Sequence, residues 1–234
     1  MHKQSLTIAG NIERIEERLI RACDRAGRKR VEVTLMGVSK FVPITNIKEA
    51  FNAGIRCFGE SRVKEATEKF ADYNDIFPGM KLHLIGALQR NKAKNALAFF
   101  DCIQSVDRLE LIEELLKNSS MRKIPLEVLL ELHTGEETKT GFADTDSLCR
   151  AVDLLAGSEN LKIAGLMTMA PFTADAQLIR SSFRQVAGAQ KELEKCFPKE
   201  NFSCLSMGMS NDFEIAVEEG STLIRIGSAI FNES

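Results

Sequence analysis

Along the first stretch of the chain, Ile8, Ile12, Ile15, Leu19 and Cys23 fall three or four residues apart, the spacing of one buried helix face, and Gly27 is placed to end that helix. The pattern then changes to short apolar runs separated by longer amphipathic segments. The runs cover residues 33–39, 55–59, 82–88, 102–106, 126–132, 163–168, 204–209 and 223–227. Most are followed by a segment of helical periodicity, and this alternation is the rhythm of a (β/α)8 TIM-type barrel in the α/β class. The 234 residues suit a fold that typically takes ~250. No Pro/Gly/Ser-rich linker divides the chain, which predicts one barrel domain over 1–234, with the extra N-terminal helix of residues 1–30 packed on the bottom or side. Periodicity does not reveal closure, so a doubly wound open sheet fits the same pattern.

Composition narrows the function classes. A hydrophobic content of 44%, a charged content of 27% and a net charge of −2 are those of an ordinary globular protein and give no reason to expect nucleic-acid or membrane partners. No apolar run is long enough to span a bilayer, and Asn11 with the charged cluster 13–18 interrupts any signal core. The six cysteines form no C-x-x-C pair, and several lie in apolar runs. That usage predicts a reduced, cytoplasmic protein without a metal site.

In a barrel the reactive groups stand at the carboxyl ends of the strands. Lys40 closes the first run, with Pro43 soon after it. A lysine stem held in an apolar mouth favours the neutral amine, because burial disfavours the ammonium, and a free amine condenses with aldehydes. The competing expectation is a lysine that reaches out to water. In the seventh run, alternation puts Cys204, Ser206, Gly208 and Ser210 on one face and Leu205, Met207 and Met209 on the other. The first face is small and polar, as a pocket for a compact anion requires.

The eighth run places Arg225 on the face opposite Ile224 and Ile226, pointing into a barrel whose phosphate sites commonly follow strands 7 and 8. Alternatively, Arg225 pairs with a core carboxylate, for which Asp212 and Glu214 are at hand. His83, inside the third run, reads as a hydrogen-bonded core histidine; His133 either contacts a ligand or caps a loop. The polar loop 134–142 holds Lys139, a second candidate amine. The histidines are too scattered for zinc, and neither a G-x-G-x-x-G nor a Walker A pattern is present.

Val38-Ser39-Lys40, Cys57-Phe58-Gly59-Glu60, the stretch from His83 to Lys92, Gly165-Leu166-Met167, Leu205-Ser206-Met207-Gly208-Met209-Ser210 and the stretch from Ile224 to Phe231 occur in this order. In combination they make the chain resemble the YggS/PROSC family of pyridoxal phosphate homeostasis proteins, over about residues 33–231. Ser61 stands where that family usually has Asn, Leu82 replaces an aromatic residue, and Ser228 replaces Thr while keeping its hydroxyl. The tail also stops short of the family's usual basic extension.

The resemblance implies pyridoxal 5′-phosphate bound in a fold-type III barrel, like the N-terminal domain of alanine racemase. Lys40 would form the internal aldimine. Ser206, Gly227 and Ser228, with Met207 and Ser210 nearby, would hold the phosphate. Arg225 would approach the pyridine nitrogen, and Met167 and Ser61 would flank the ring. An arginine is effectively always protonated, so it disfavours a second charge on the ring nitrogen and leaves the ring a poorer electron sink. The chain has one tyrosine, Tyr73, between the second and third runs, and no length for a second domain. The leading expectation is a non-enzymatic carrier that buffers or delivers the cofactor, with apo enzymes as recipients and the chain as a monomer. Two alternatives remain: a low-activity amino-acid racemase, and a class I aldolase-type barrel whose lysine binds its substrate directly.

Overall fold

A computed structural model describes residues 7–71, 73–135 and 140–232; the side chains of Tyr73 and Asn74 and the candidate amine Lys139 lie outside the described set. The chain opens with α1 (Ile8–Arg25), whose first turn is capped by Thr7 Oγ1 accepting the Gly10 N–H at 3.1 Å. Strand and helix then alternate as β1 (Thr34–Val38), α2 (Ile44–Asn52), β2 (Cys57–Glu60), α3 (Val63–Lys69) and a short α4 (Tyr73–Ile76). The middle comprises β3 (Lys81–Leu84), α5 (Ala93–Phe99), β4 (Cys102–Val106), α6 (Leu109–Asn118), β5 (Leu126–Glu131) and α7 (Thr145–Leu155). The last part is β6 (Leu161–Met167), α8 (Ala176–Cys196), β7 (Cys204–Ser206), α9 (Phe213–Glu218), β8 (Leu223–Ile226) and α10 (Ser228–Phe231).

All eight strands are parallel, and β8 pairs back onto β1 through Thr34↔Leu223 to Gly37↔Ile226. The sheet is therefore a closed barrel, and the open-sheet alternative is set aside. Helix α1 packs against α9, α10 and α2, on the side of the barrel where the last strand meets the first. Asn11 Nδ2 fixes its start by donating to Ile230 O at 2.9 Å, and Arg18 forks onto Glu214 at 2.9 and 3.0 Å.

The alternation read from sequence sorts the strand side chains by environment. Phe58, Leu82, Leu130, Leu205, Ile224 and Ile226 point outward into the layer beneath the helices. The interior splits into two small apolar groups, Met36, Cys57 and Leu223 in one and Cys102, Leu129, Ala164 and Met167 in the other. Between them lie the buried polar residues Gln104, Ser206 and Arg225.

Six of the eight strands are shorter than their apolar runs, β3 and β7 by three residues each. β3 stops at Leu84, and two residues on, Gly86 O accepts a hydrogen bond from Ser105 Oγ. β7 stops at Ser206 because Gly208 turns at φ 99°, and the Arg225 N–H then bonds to Gly208 O rather than to a continuing strand. β8 stops at Ile226 because Gly227 already caps α10.

The tightest backbone packing in the barrel is at Gly165, in β6 beside β7. Its φ is 152°, and a Cβ there would sit 1.8 Å from Cys204 O. Gly165→Ala is expected to cost about 3 kcal/mol or more, since the neighbouring strand cannot yield without breaking its ladder. In thermal unfolding this should appear as a Tm lowered by roughly 6–12 °C; an unchanged Tm would show that β6 and β7 do not approach as described.

Candidate functional site

Lys40 follows β1 in a tight turn. The Ser39 N–H completes the sheet on Gly59 O at 2.9 Å, and the Val42 N–H closes the turn on Ser39 O at 3.0 Å. Phe41 takes φ 62°, the one positive φ among the described non-glycine residues. A side chain with a Cβ adopts that region at a cost on the order of 1 kcal/mol, so the turn has to be held from below.

The holding group is a buried ion pair. Glu60, fully buried at the end of β2, accepts from Ser39 Oγ at 2.6 Å and from Lys69 Nζ at 2.9 Å. Lys69 Nζ also donates to Ser39 O at 2.8 Å. Lys40 itself is exposed, so the expectation of a stem sunk in an apolar mouth is corrected. The lysine taken into the protein is Lys69, whose ammonium is bound to a carboxylate.

Arg225 is buried, yet it is not simply paired with a carboxylate. Its Nη1 donates to Ser206 O at 2.7 Å and Ser206 Oγ at 2.6 Å, and its Nη2 donates to Thr168 O at 2.7 Å. Burial lowers its pKa to about 10, a shift opposed by the nearby charges of Asp212 and Glu131. At neutral pH it remains a cation. Glu214, one of the two carboxylates suggested by sequence, is engaged by Arg18 on α1. Asp212 acts on Arg225 through its field, while its Oδ1 accepts the Met209 N–H at 2.5 Å.

A cleft of about 330 Å³ opens at the carboxyl end of the barrel and brings together Lys40, Ser210, Arg225, Gly227 and Ser228. Within it Ser228 Oγ lies 3.2 Å from Ser210 Oγ. A second hollow of about 320 Å³ adjoins it on the other side of Lys40, Gly227 and Ser228. A larger cavity, about 690 Å³, opens at the amino ends of the strands and is lined in part by Cys57, His83 and Cys204. Barrel chemistry is concentrated at the carboxyl face, where Lys40 and Arg225 meet, so the smaller cleft is the candidate site.

Five of the nine residues singled out by sequence thus share one cleft, and four do not line it. Met207 is fully buried in the layer under the helices and its N–H is spent on Leu223 O, so neither its side chain nor its amide faces the cleft. Ser206 is fully buried, with its hydroxyl bonded to Arg225 and Gln104. Met167 packs inside the barrel against Cys102, Leu129 and Ala164. Ser61 stands at the end of β2, where its backbone presses against Gly86.

The sequence reading also missed two groups. The segment after β6, Pro171, Phe172 and Thr173, walls the cleft, but as a loop it carries no periodic signal. Gln104 is fully buried and bonds to both Ser206 and His83. A polar residue within the apolar run 102–106 was a visible signal of the kind that drew attention to Arg225.

The chemistry of the site is that of a cup for an anion with an acceptor at its far end. A guanidinium has five N–H donors; three of Arg225's bonds go to Ser206 and Thr168, which leaves two donors on a residue that lines the cleft. Being donor-only, they suit an acceptor such as an unprotonated ring nitrogen. The Ser210 and Ser228 hydroxyls suit a phosphate, and the exposed Lys40 amine suits an aldehyde.

The chain matches the family profile described as alanine racemase, N-terminal domain, over residues 11–234. It is 36% identical over 222 residues, 95% of this chain and 96% of the relative, to a pyridoxal phosphate homeostasis protein of Aquifex aeolicus. A solved structure of PipY from Synechococcus elongatus, with pyridoxal phosphate bound, superposes with a TM-score of 0.81 at 37% identity, covering 93% of this chain and all of that one. An alanine racemase of Clostridium difficile superposes at a TM-score of 0.72 with 10% identity, covering 97% of this chain and 57% of that one, a likeness of fold. Among the described residues no helix is long and apolar enough to cross a membrane, and no group of three or more His, Cys, Asp or Glu is arranged to hold a metal ion.

Two stability experiments test the internal geometry. Lys69→Met leaves Glu60 buried without its cation and should cost about 3–5 kcal/mol in urea unfolding, with Glu60→Gln added to it restoring part of the loss; equal losses would mean the pair is not coupled. Burial pushes the His83 pKa down from 6.5 to about 4. Between those values the unfolded chain carries the proton and the folded one does not, so stability must fall as the pH falls through that window. The full effect is roughly 3 kcal/mol. His83→Gln should flatten the acid limb of the stability–pH curve; an unaltered limb would contradict a neutral, buried ring.

Proposed function

The chain belongs to the family of pyridoxal phosphate homeostasis proteins, and from that premise we propose that it binds pyridoxal 5′-phosphate covalently at Lys40 and holds the cofactor for use elsewhere in the cell, without turning over a substrate. The observation that carries this reading is Arg225: a buried, protonated guanidinium, anchored to strand atoms, on the wall of the same cleft as Lys40 and the Ser210–Ser228 hydroxyl pair. When bound, the cofactor supplies an aldehyde that condenses with a primary amine and a ring that stabilises carbanions.

The protein's own residues divide the work. Lys40 presents its amine from a turn locked by Ser39, Glu60 and Lys69. Ser210, Gly227 and Ser228 receive the phosphate, the hydroxyls as donors and Gly227 by leaving the wall free of a side chain. Arg225 donates to the ring nitrogen. Ser206 acts from behind, by holding Arg225. Ser61, Met167 and Met207 are given no direct contact.

A carrier role follows from the same arginine. A donor that stays charged keeps the ring nitrogen unprotonated, and an unprotonated ring withdraws electrons weakly. The relatives' designation as homeostasis proteins supports this reading. The site is also an open cleft, where water competes with the preorganised dipoles that catalysis needs. Cytoplasmic location and apo enzymes as recipients complete the proposal.

Titration with pyridoxal phosphate should give a visible chromophore that borohydride fixes on the peptide containing Lys40, and Lys40→Ala should reduce incorporation to background. Retention of full incorporation by that variant would overturn the assignment, with Lys139 next to be mapped. Removing both Ser210 and Ser228 hydroxyls should weaken binding by about tenfold or more, the loss of hydrogen bonds to a charged group. Deuterium exchange at Cα of amino acids, dependent on Lys40 and faster than with free cofactor, would overturn the non-enzymatic part and favour a weak racemase.

A further inference from the structure

Barrel interiors are ordinarily filled by layers of branched apolar side chains. Here a continuous line of polar side chains crosses the interior instead. Arg225 of β8 donates from Nη1 to Ser206 Oγ of β7 at 2.6 Å; Ser206 Oγ donates to Gln104 Oε1 of β4 at 2.6 Å; Gln104 Nε2 meets His83 Nδ1 of β3 at 2.8 Å. Gln104 and Ser206 are fully buried, so each of their bonds is expensive to leave unmade. The line begins at the wall of the Lys40 cleft and ends at the cavity on the opposite face, which His83 lines.

The polarity of the line follows from its first member. Arg225 can only donate, so the Ser206 oxygen must accept, and the Ser206 proton must go to a different acceptor. Gln104 Oε1 is that acceptor, which turns the amide nitrogen toward His83 and requires Nδ1 to be the unprotonated ring atom. The reverse amide orientation would aim two donors at Ser206 and leave its proton without the Gln104 acceptor. Burial, which keeps the His83 ring neutral, is consistent with this arrangement. One polarity therefore satisfies all four groups, and it fixes the Ser206 hydroxyl that grips the guanidinium.

We propose that Gln104 is a positioning residue for Arg225, acting through Ser206, with His83 fixing the orientation of the Gln104 amide. Through this line the barrel interior sets where the Arg225 donors stand in the cleft. The inference rests on the reading of the cleft as a pyridoxal phosphate site, and its experiment separates the two.

Gln104→Met keeps the approximate volume and removes both bonds. It is expected to weaken pyridoxal phosphate binding about tenfold, the loss of one buried hydrogen bond acting on a charged group, and to shift the pH midpoint of the bound chromophore, while borohydride still fixes the cofactor on Lys40. In an Arg225→Met background the same change should alter neither affinity nor midpoint. Gln104→Glu, which keeps an oxygen for Ser206, should restore the affinity. Ser206→Ala cuts the line at a second point and should reproduce Gln104→Met should that variant fold poorly. Equal losses with and without Arg225 would overturn the proposal, because Gln104 would then serve only the packing of the barrel. Failure of the unaltered protein to bind pyridoxal phosphate would overturn the function and not the line. In that case hydrogen exchange of the Arg225 guanidinium in the ligand-free protein decides, with Gln104→Met expected to quicken it and unchanged exchange overturning the proposal.

Discussion

Arg225 is the charge around which the upper half of the barrel is organised. An ion taken into a protein interior without partners costs several kcal/mol, a large part of the about 5–15 kcal/mol that stabilises a whole domain. Here the cost is offset by Thr168 O just past β6, by Ser206 O and Ser206 Oγ of β7, and by the fields of Asp212 and Glu131. Those bonds require strand ends at defined heights. β7 has to stop at Ser206 and turn at Gly208, and the irregular bond from Arg225 N to Gly208 O follows from that turn. One wall of the cleft is thus a cation that the barrel solvates largely by its own backbone.

The turn that carries Lys40 uses the same device with different residues. Glu60 is buried on the outer side of β2 and would be as unwelcome there as an isolated guanidinium, but Lys69 and Ser39 close on one of its oxygens. Lys69 Nζ also donates to Ser39 O, at the start of a turn whose Phe41 is held in the left-handed region. The exposed Lys40 is thus carried by a rigid base and not by its own burial. Two buried charges serve the cleft, Arg225 on its wall and Glu60 beneath the turn that carries Lys40.

Much of this was legible along the chain. Alternation separated Arg225 from Ile224 and Ile226 correctly, because a period of two is a property of any strand and each face meets one environment. The eight runs, the opening helix and the domain class were readable for the same reason, and the family resemblance located Lys40, Ser210, Arg225, Gly227 and Ser228 in the cleft they share. Ser206 and Met207, expected at the phosphate, do not line that cleft. Alternation put Met207 on the helix-facing side and Ser206 on the inner one, as the structure has them; their phosphate roles came from the resemblance alone, and the Ser206 hydroxyl is used inside the barrel.

By itself, then, the sequence determined which residues are apolar, at what period they recur and where charges interrupt them, and these local quantities suffice for strands, helices and the direction in which Arg225 points. Closure of the barrel, the exposure of Lys40, the capture of Glu60 by Lys69 and the line from Arg225 to His83 were decided by the tertiary structure alone. Each depends on distance between residues far apart in the chain, such as the 102 positions between Gln104 and Ser206. Hydrogen bonds act over about 3 Å, and no periodicity along a chain encodes which of its distant polar groups will come within that reach.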